Sequence, residues 1–176
     1  GDSMDSSAEP EKTEAHTARA YQIETYDTGA LRTFTRSGVE LLFLPSHAAE
    51  KRIDPCFRIE FENGFVELKP GADKMVARTL DKKEIFYPSP DSDHQFKKLF
   101  SAIKCAAGAG NVICSPEASL PQAIIADQTD KICREPFSFP ADRIERNRER
   151  LFVRGLDDLL LMCYRDFSLP FINFSK

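Results

Sequence analysis

The stretch that most constrains this chain is Phe57-Arg-Ile-Glu-Phe-Glu-Asn-Gly-Phe-Val-Glu-Leu-Lys-Pro70, two alternating runs joined by Asn63-Gly64. Asn-Gly between alternating runs is a strong hairpin signal, because both residues tolerate the positive φ of a tight primed turn. With those two as the loop, Phe61 faces Val66, Glu60 faces Glu67, Ile59 faces Leu68 and Arg58 faces Lys69. Side chains alternate along a strand, so Phe57, Ile59, Phe61, Val66 and Leu68 share one face. Arg58, Glu60, Glu62, Glu67 and Lys69 share the other. The first face is predicted to meet a core and the second to meet water.

A chain of 176 residues, 41% of them hydrophobic, has room for one well-cored domain plus an extension. No run approaches the length of a membrane span. Residues 1–18 are polar and lack the apolar centre of a signal peptide, so they read as a disordered leader. The five cysteines are odd in number and form no C-x-x-C pair, which argues against a disulfide framework and a zinc site. A reducing, intracellular compartment, cytoplasmic or nuclear, is the expectation. The net charge of -4 argues against non-specific nucleic-acid binding.

Short apolar or alternating runs fill the chain up to Tyr87. They are Ala20 to Tyr26, Leu31 to Arg36, Val39 to Leu44, Cys56 to Phe61, Phe65 to Lys69, Met75 to Leu80 and Glu84 to Tyr87. Val39-Glu-Leu-Leu-Phe-Leu44 is nearly continuous in apolar character, as in a strand buried on both sides. Asp81-Lys82 reads as the turn of a further hairpin. A helix follows, with Ser92 as N-cap, Gln95 completing a capping box and Asp93 favoured by the helix dipole. Phe96, Leu99, Phe100, Ile103 and Ala107 then form a single apolar stripe, and Gly108 closes the helix.

Residues 111–140 are proline-bearing and mixed in character and read as a long irregular connection. From Ala141 the chain is expected to be helical again, with Ile144, Leu151, Phe152, Leu156, Leu159, Leu160, Cys163 and Phe167 on a stripe that Gly155 divides. Leu156 to Phe167 is apolar on more than one face. Such a segment needs a partner surface, in its own domain or on another chain.

Seven antiparallel strands followed by one amphipathic helix resembles the element order of the pleckstrin-homology superfold. Lys74-Met-Val-Ala-Arg-Thr-Leu-Asp-Lys-Lys-Glu-Ile-Phe-Tyr87 and Asp93-His-Gln-Phe-Lys-Lys-Leu-Phe-Ser-Ala-Ile103 look like the last hairpin and capping helix of such domains. The resemblance implies a seven-stranded antiparallel bent barrel over 19–110, capped by that helix, with a helical C-terminal extension over 141–176. The tryptophan usual in the capping helix is absent, since the chain has no Trp, and Leu99 or Phe100 would take its place.

Function follows as an expectation only. The leading reading is a non-enzymatic scaffold or adaptor domain that binds protein partners, a second copy of itself among them. Its candidate partner-binding residues are Leu151, Phe152, Leu156, Leu159, Leu160, Tyr164 and Phe167. The alternative, raised by the resemblance, is a phosphoinositide or membrane-surface binder, with Arg32, Arg36, Lys74 and Arg78 as anion-binding candidates. A metal-dependent nuclease is the third reading, because Asp54 followed by Glu67-Leu-Lys69 resembles the acidic and E-x-K elements of such enzymes, with Glu60 as a further oxygen ligand. Against it, opposite charges lie diagonal to one another on the hairpin. His16, His47 and His94 have no neighbouring nucleophile, and no glycine-rich phosphate loop precedes a helix. Neither a catalytic residue nor a metal, cofactor or small-molecule substrate is therefore assigned.

Overall fold

The computed structural model describes residues 7–90, 96–112, 114–147 and 150–170. In chain order the elements are β1 (Pro10–Arg19), β2 (Thr28–Thr35), β3 (Glu40–Phe43), β4 (Phe57–Phe61), β5 (Gly64–Leu68), β6 (Lys74–Thr79), β7 (Glu84–Pro88), α1 (Lys97–Ala106), α2 (Pro116–Ile132), β8 (Phe137–Ser138), β9 (Ile144–Arg146), β10 (Leu151–Val153) and α3 (Leu156–Asp166). The class is mixed α/β. The strands form open sheets in the orders β3-β2-β1-β8, β10-β9 and β4-β5-β6-β7, so the expected seven-stranded barrel is not formed. The chain divides into two compact units, residues 1–51 with 114–176 and residues 52–113, in place of one domain over 19–110.

The first unit begins where a disordered leader is expected. Thr13, Ala15 and Thr17 of β1 are buried on one face, and β1 pairs antiparallel with β2 through Thr13–Thr33, Ala15–Leu31 and Thr17–Gly29. Its inward residues are small or β-branched, which suits a strand under a helix but produces no run of large apolar residues. The Thr13 hydroxyl lies 2.5 Å from Gln128 Oε1 and so joins β1 to α2. That helix occupies the stretch read as an irregular connection. Pro116 stands at its first turn, where no N–H is missed, and the Ser115 hydroxyl accepts from Ala118 N at 3.2 Å. Pro121 is the one breaker inside it. The expected strand at Ala20–Tyr26 is instead a loop, because the Asp27 carboxylate accepts from Ala20 N (2.7 Å) and Tyr21 N (2.8 Å) and folds the backbone round itself.

The expected helix from Ala141 begins as a 3₁₀ turn at Ala141–Arg143 and continues as the β9–β10 hairpin, so only α3 is helical in the described part of 141–170. Gly155, at φ 78, makes the sharp entry into α3 that a Cβ would oppose. Ala18, Ala48, Phe139, Val153 and Leu156 form the core of this unit, with Ala20, Ile144 and Leu160 packed against it. Val153 N donates to Ala48 O at 2.9 Å. Buried Asp157, in the first turn of α3, accepts from Glu50 N (3.0 Å) and Lys51 N (3.1 Å). Losing both charge-assisted bonds at once should be costly. Asp157→Ala is expected to lower stability by about 2–3 kcal/mol, measured by urea unfolding.

β3 is an edge strand, paired only with β2. Leu41 and Phe43, on one of its faces, are exposed, so the strand is not buried on both sides as its composition suggests.

Candidate interaction surface

The second unit is built round the hairpin that dominates the sequence, but in a different register. Phe61 pairs with Gly64, Glu60 with Phe65, Ile59 with Val66, Arg58 with Glu67 and Phe57 with Leu68, so the loop residues are Glu62 and Asn63. Gly64 itself lies in β5 and pairs with Thr79 of β6. A Cβ on Gly64 would stand 2.1 Å from the carbonyl oxygen of Arg78. The glycine is therefore needed for close backbone approach and not for the turn. Because the slip is of two residues, every side chain keeps the face expected for it.

The registers of β5–β6 and β6–β7 extend that face across the sheet. Phe57, Ile59, Phe61, Val66, Leu68, Met75, Ala77, Thr79, Ile85 and Tyr87 line it, and none carries a charge. The turn at Asp81-Lys82 forms as expected, with Lys82 at φ 64. Among the described residues of this unit, Leu68 is the single buried hydrophobic. Four residues of the face, all on the outer strands β4 and β7, are exposed: Tyr87 at 44%, Ile85 at 46%, Ile59 at 49% and Phe61 at 61%, while Phe57, Val66 and Met75 are partly buried. A sheet is stable when one face is covered, and this one leaves apolar side chains exposed on both of its outer strands, more than a solitary surface side chain explains.

Helix α1 repeats the pattern. Its expected cap residues, Ser92, Asp93 and Gln95, lie outside the described residues. Its stripe is as expected in sequence but is not buried: no residue of α1 is buried, and Leu99, Phe100 and Ile103 are each 54% exposed.

The opposite face of the sheet neutralises itself. The Arg58 guanidinium bonds Glu60 at 2.7 Å, lies 4.0 Å from Glu67 and sits 3.9 Å from the centre of the Phe65 ring. Lys69 reaches Glu67 at 3.9 Å, and Arg78 pairs with Glu84 beside the same ring. Asp54 pairs with Arg52 at 3.1 Å. The carboxylates of the nuclease pattern are thus each matched by a cation, and Glu60 faces Phe65 instead of Glu67. Among the described residues no group of three His, Cys, Asp or Glu could hold a metal ion. Burial pushes the Cys56 and Cys163 thiols up from the ordinary value, with Glu67 adding to the effect at Cys56, which disfavours the thiolate at these two positions.

The partner-binding candidates separate. Phe152 and Leu156 are buried, Leu156 within the core of the first unit, and Leu160 packs against that core. Leu151 bonds through its backbone to the Tyr21 hydroxyl, while Leu159 and Tyr164 are half-buried. Only Phe167 is exposed, with Arg32 5.9 Å from its ring centre. This stripe is apolar on several sides because it meets its own domain. The anion candidates divide between the units, Arg32 and Arg36 in the first and Lys74 and Arg78 in the second. Arg32 is bonded to Glu40, Arg36 reaches Glu9 at 3.1 Å, and Arg78 is bonded to Glu84. Lys74 lines a shallow hollow with Phe65, Glu67, Lys69 and Arg78, on the sheet of the second unit. The apolar face of the β4–β5 hairpin is legible in the sequence as an alternation, but its exposure is not.

The fold is therefore that of a mixed α/β protein with open sheets. No family model matches the chain, and no curated protein does. Among solved structures it is similar to the UDP-N-acetylglucosamine 3-dehydrogenase GnnA from Acidithiobacillus ferrooxidans, at 12% identity and a TM-score of 0.58 over 71% of this chain. The match spans 42% of that protein's length, and at this identity it speaks to fold alone. No helix among the described residues is long and apolar enough to cross a membrane.

Proposed function

We propose that this chain is a non-enzymatic interaction module that associates with a second copy of itself through the apolar face of the β4–β7 sheet, as part of an intracellular assembly. The observation that supports this reading is an uncharged face on which Ile59, Phe61, Ile85 and Tyr87 stay 44–61% exposed, in a unit where Leu68 is the single buried hydrophobic among the described residues. Covering each half-exposed Phe, Ile or Tyr would contribute on the order of 1 kcal/mol, and an uncharged face meets its own copy with no like-charge cost. The five free cysteines accord with a reducing compartment. The lipid reading has less support, because Arg32, Arg36 and Arg78 each already engage a carboxylate.

Sedimentation velocity at micromolar concentration tests it. The native chain is expected to run as a dimer, and Phe61→Asp with Ile85→Asp as a monomer with unchanged circular dichroism. A monomeric native chain, or a double variant that still dimerises, would remove the proposal.

A second reading, which rests on the likeness in fold alone, is that the chain is part of an oxidoreductase acting on a sugar nucleotide. It predicts saturation transfer from the protein to UDP-N-acetylglucosamine by NMR. Without transfer, that reading is lost.

A further inference from the structure

The apolar sheet face and the apolar stripe of α1 belong to the same unit, and in a single copy Ile59, Phe61, Ile85 and Tyr87 of the one and Leu99, Phe100 and Ile103 of the other remain 44–61% exposed. We propose that two copies exchange them, α1 of each lying across the β4–β7 face of its partner. This rests on the reading of that face as an interface between copies and specifies what covers it.

The dimensions agree. A helix of 10 residues is about 15 Å long, and four strands of five to six residues make a face roughly 17–20 Å on each side. The stripe Phe96, Leu99, Phe100, Ile103 has the i, i+3, i+4, i+7 spacing that presents one ridge to a flat surface. The area agrees as well. A large apolar side chain that is half-exposed has about 100 Å² left to bury, so four on the helix and four on the sheet, taken twice across a two-fold axis, give on the order of 1,600 Å². That is the size of a stable dimer interface. Direct sheet-on-sheet packing would leave both α1 stripes in water.

Complementation between two variants tests the exchange. Leu99→Lys disables the helix side and Phe61→Asp the sheet side, both at exposed positions, so folding should survive and is checked by circular dichroism. If the exchange is right, the native chain is dimeric and each variant alone is monomeric. An equimolar mixture then forms a heterodimer by native mass spectrometry, because it retains one intact helix–sheet contact and sets the two introduced charges opposite each other. A Leu99→Lys chain that stays dimeric overturns the exchange while leaving the sheet-face interface standing. Monomeric variants that give no heterodimer on mixing also overturn it. A native chain that is monomeric overturns both.

Discussion

Gly64→Ala is expected to destroy the β4–β7 sheet, whereas Gly71→Ala leaves it in place. Both glycines have positive φ, at 150° and 71°, so both substitutions carry backbone strain of about 1 kcal/mol. They differ in space. Nothing lies within 4 Å of a Cβ on Gly71, but a Cβ on Gly64 would overlap the Arg78 carbonyl oxygen at 2.1 Å and press on Thr79 Cα at 2.9 Å. Those are backbone atoms of the neighbouring strand and cannot swing aside, so β5 and β6 must separate. We expect a loss of roughly 3 kcal/mol or more at Gly64, a large part of the stability of a small unit. Backbone hydrogen exchange is the measurement: amides of β5 and β6 should lose protection in Gly64→Ala and keep it in Gly71→Ala. Equal protection in the two variants would contradict the register.

Leu156→Ala should give the other large effect, in the first unit. Leu156 is 2% exposed and packs with Ala18, Ala48, Phe139 and Val153. Its truncation leaves a cavity among rigid neighbours and should cost about 2–5 kcal/mol. For a chain of this size that lowers Tm by on the order of 5–15 °C, read by thermal circular dichroism. Leu159→Ala, at a half-buried position, should cost clearly less. The comparison separates two roles that the sequence pattern assigns to both residues alike, since a docking residue would change association and leave Tm nearly untouched.

The hairpin shows how much was legible. Alternation alone placed Phe57, Ile59, Phe61, Val66 and Leu68 on one face, and that survives a register slip because a two-residue shift preserves the parity of every side chain. Asn63-Gly64 was read as the loop since Gly is the usual turn residue. The reason for Gly64 is instead a contact with Arg78, fourteen residues further on, which no local pattern encodes. Strand β1 was missed for a related reason: Thr13, Ala15 and Thr17 are buried because α2 lies over them, and small residues become inward-facing only once that helix is in place. The segment 116–132 was obscured by Pro116 and Pro121, of which the first is favourable at a helix start.

Periodicity by itself determined which residues share a face in β4 and β5, the apolar stripe of α1 and the turn at Asp81-Lys82, because these depend on neighbours in the chain. Which apolar faces are covered was decided by tertiary structure. The stripe of α3 looked like a surface for partners and is in good part core, closed by Ala18, Ala48 and Phe139 from distant segments. The apolar face of the β4–β5 hairpin reads as core, yet Ile59 and Phe61 stay exposed on it while Leu68 is buried. An alternating pattern specifies that a face must be buried. What buries it depends on contacts between segments far apart in sequence, and on α3 and the β4–β7 sheet those contacts assigned the opposite roles.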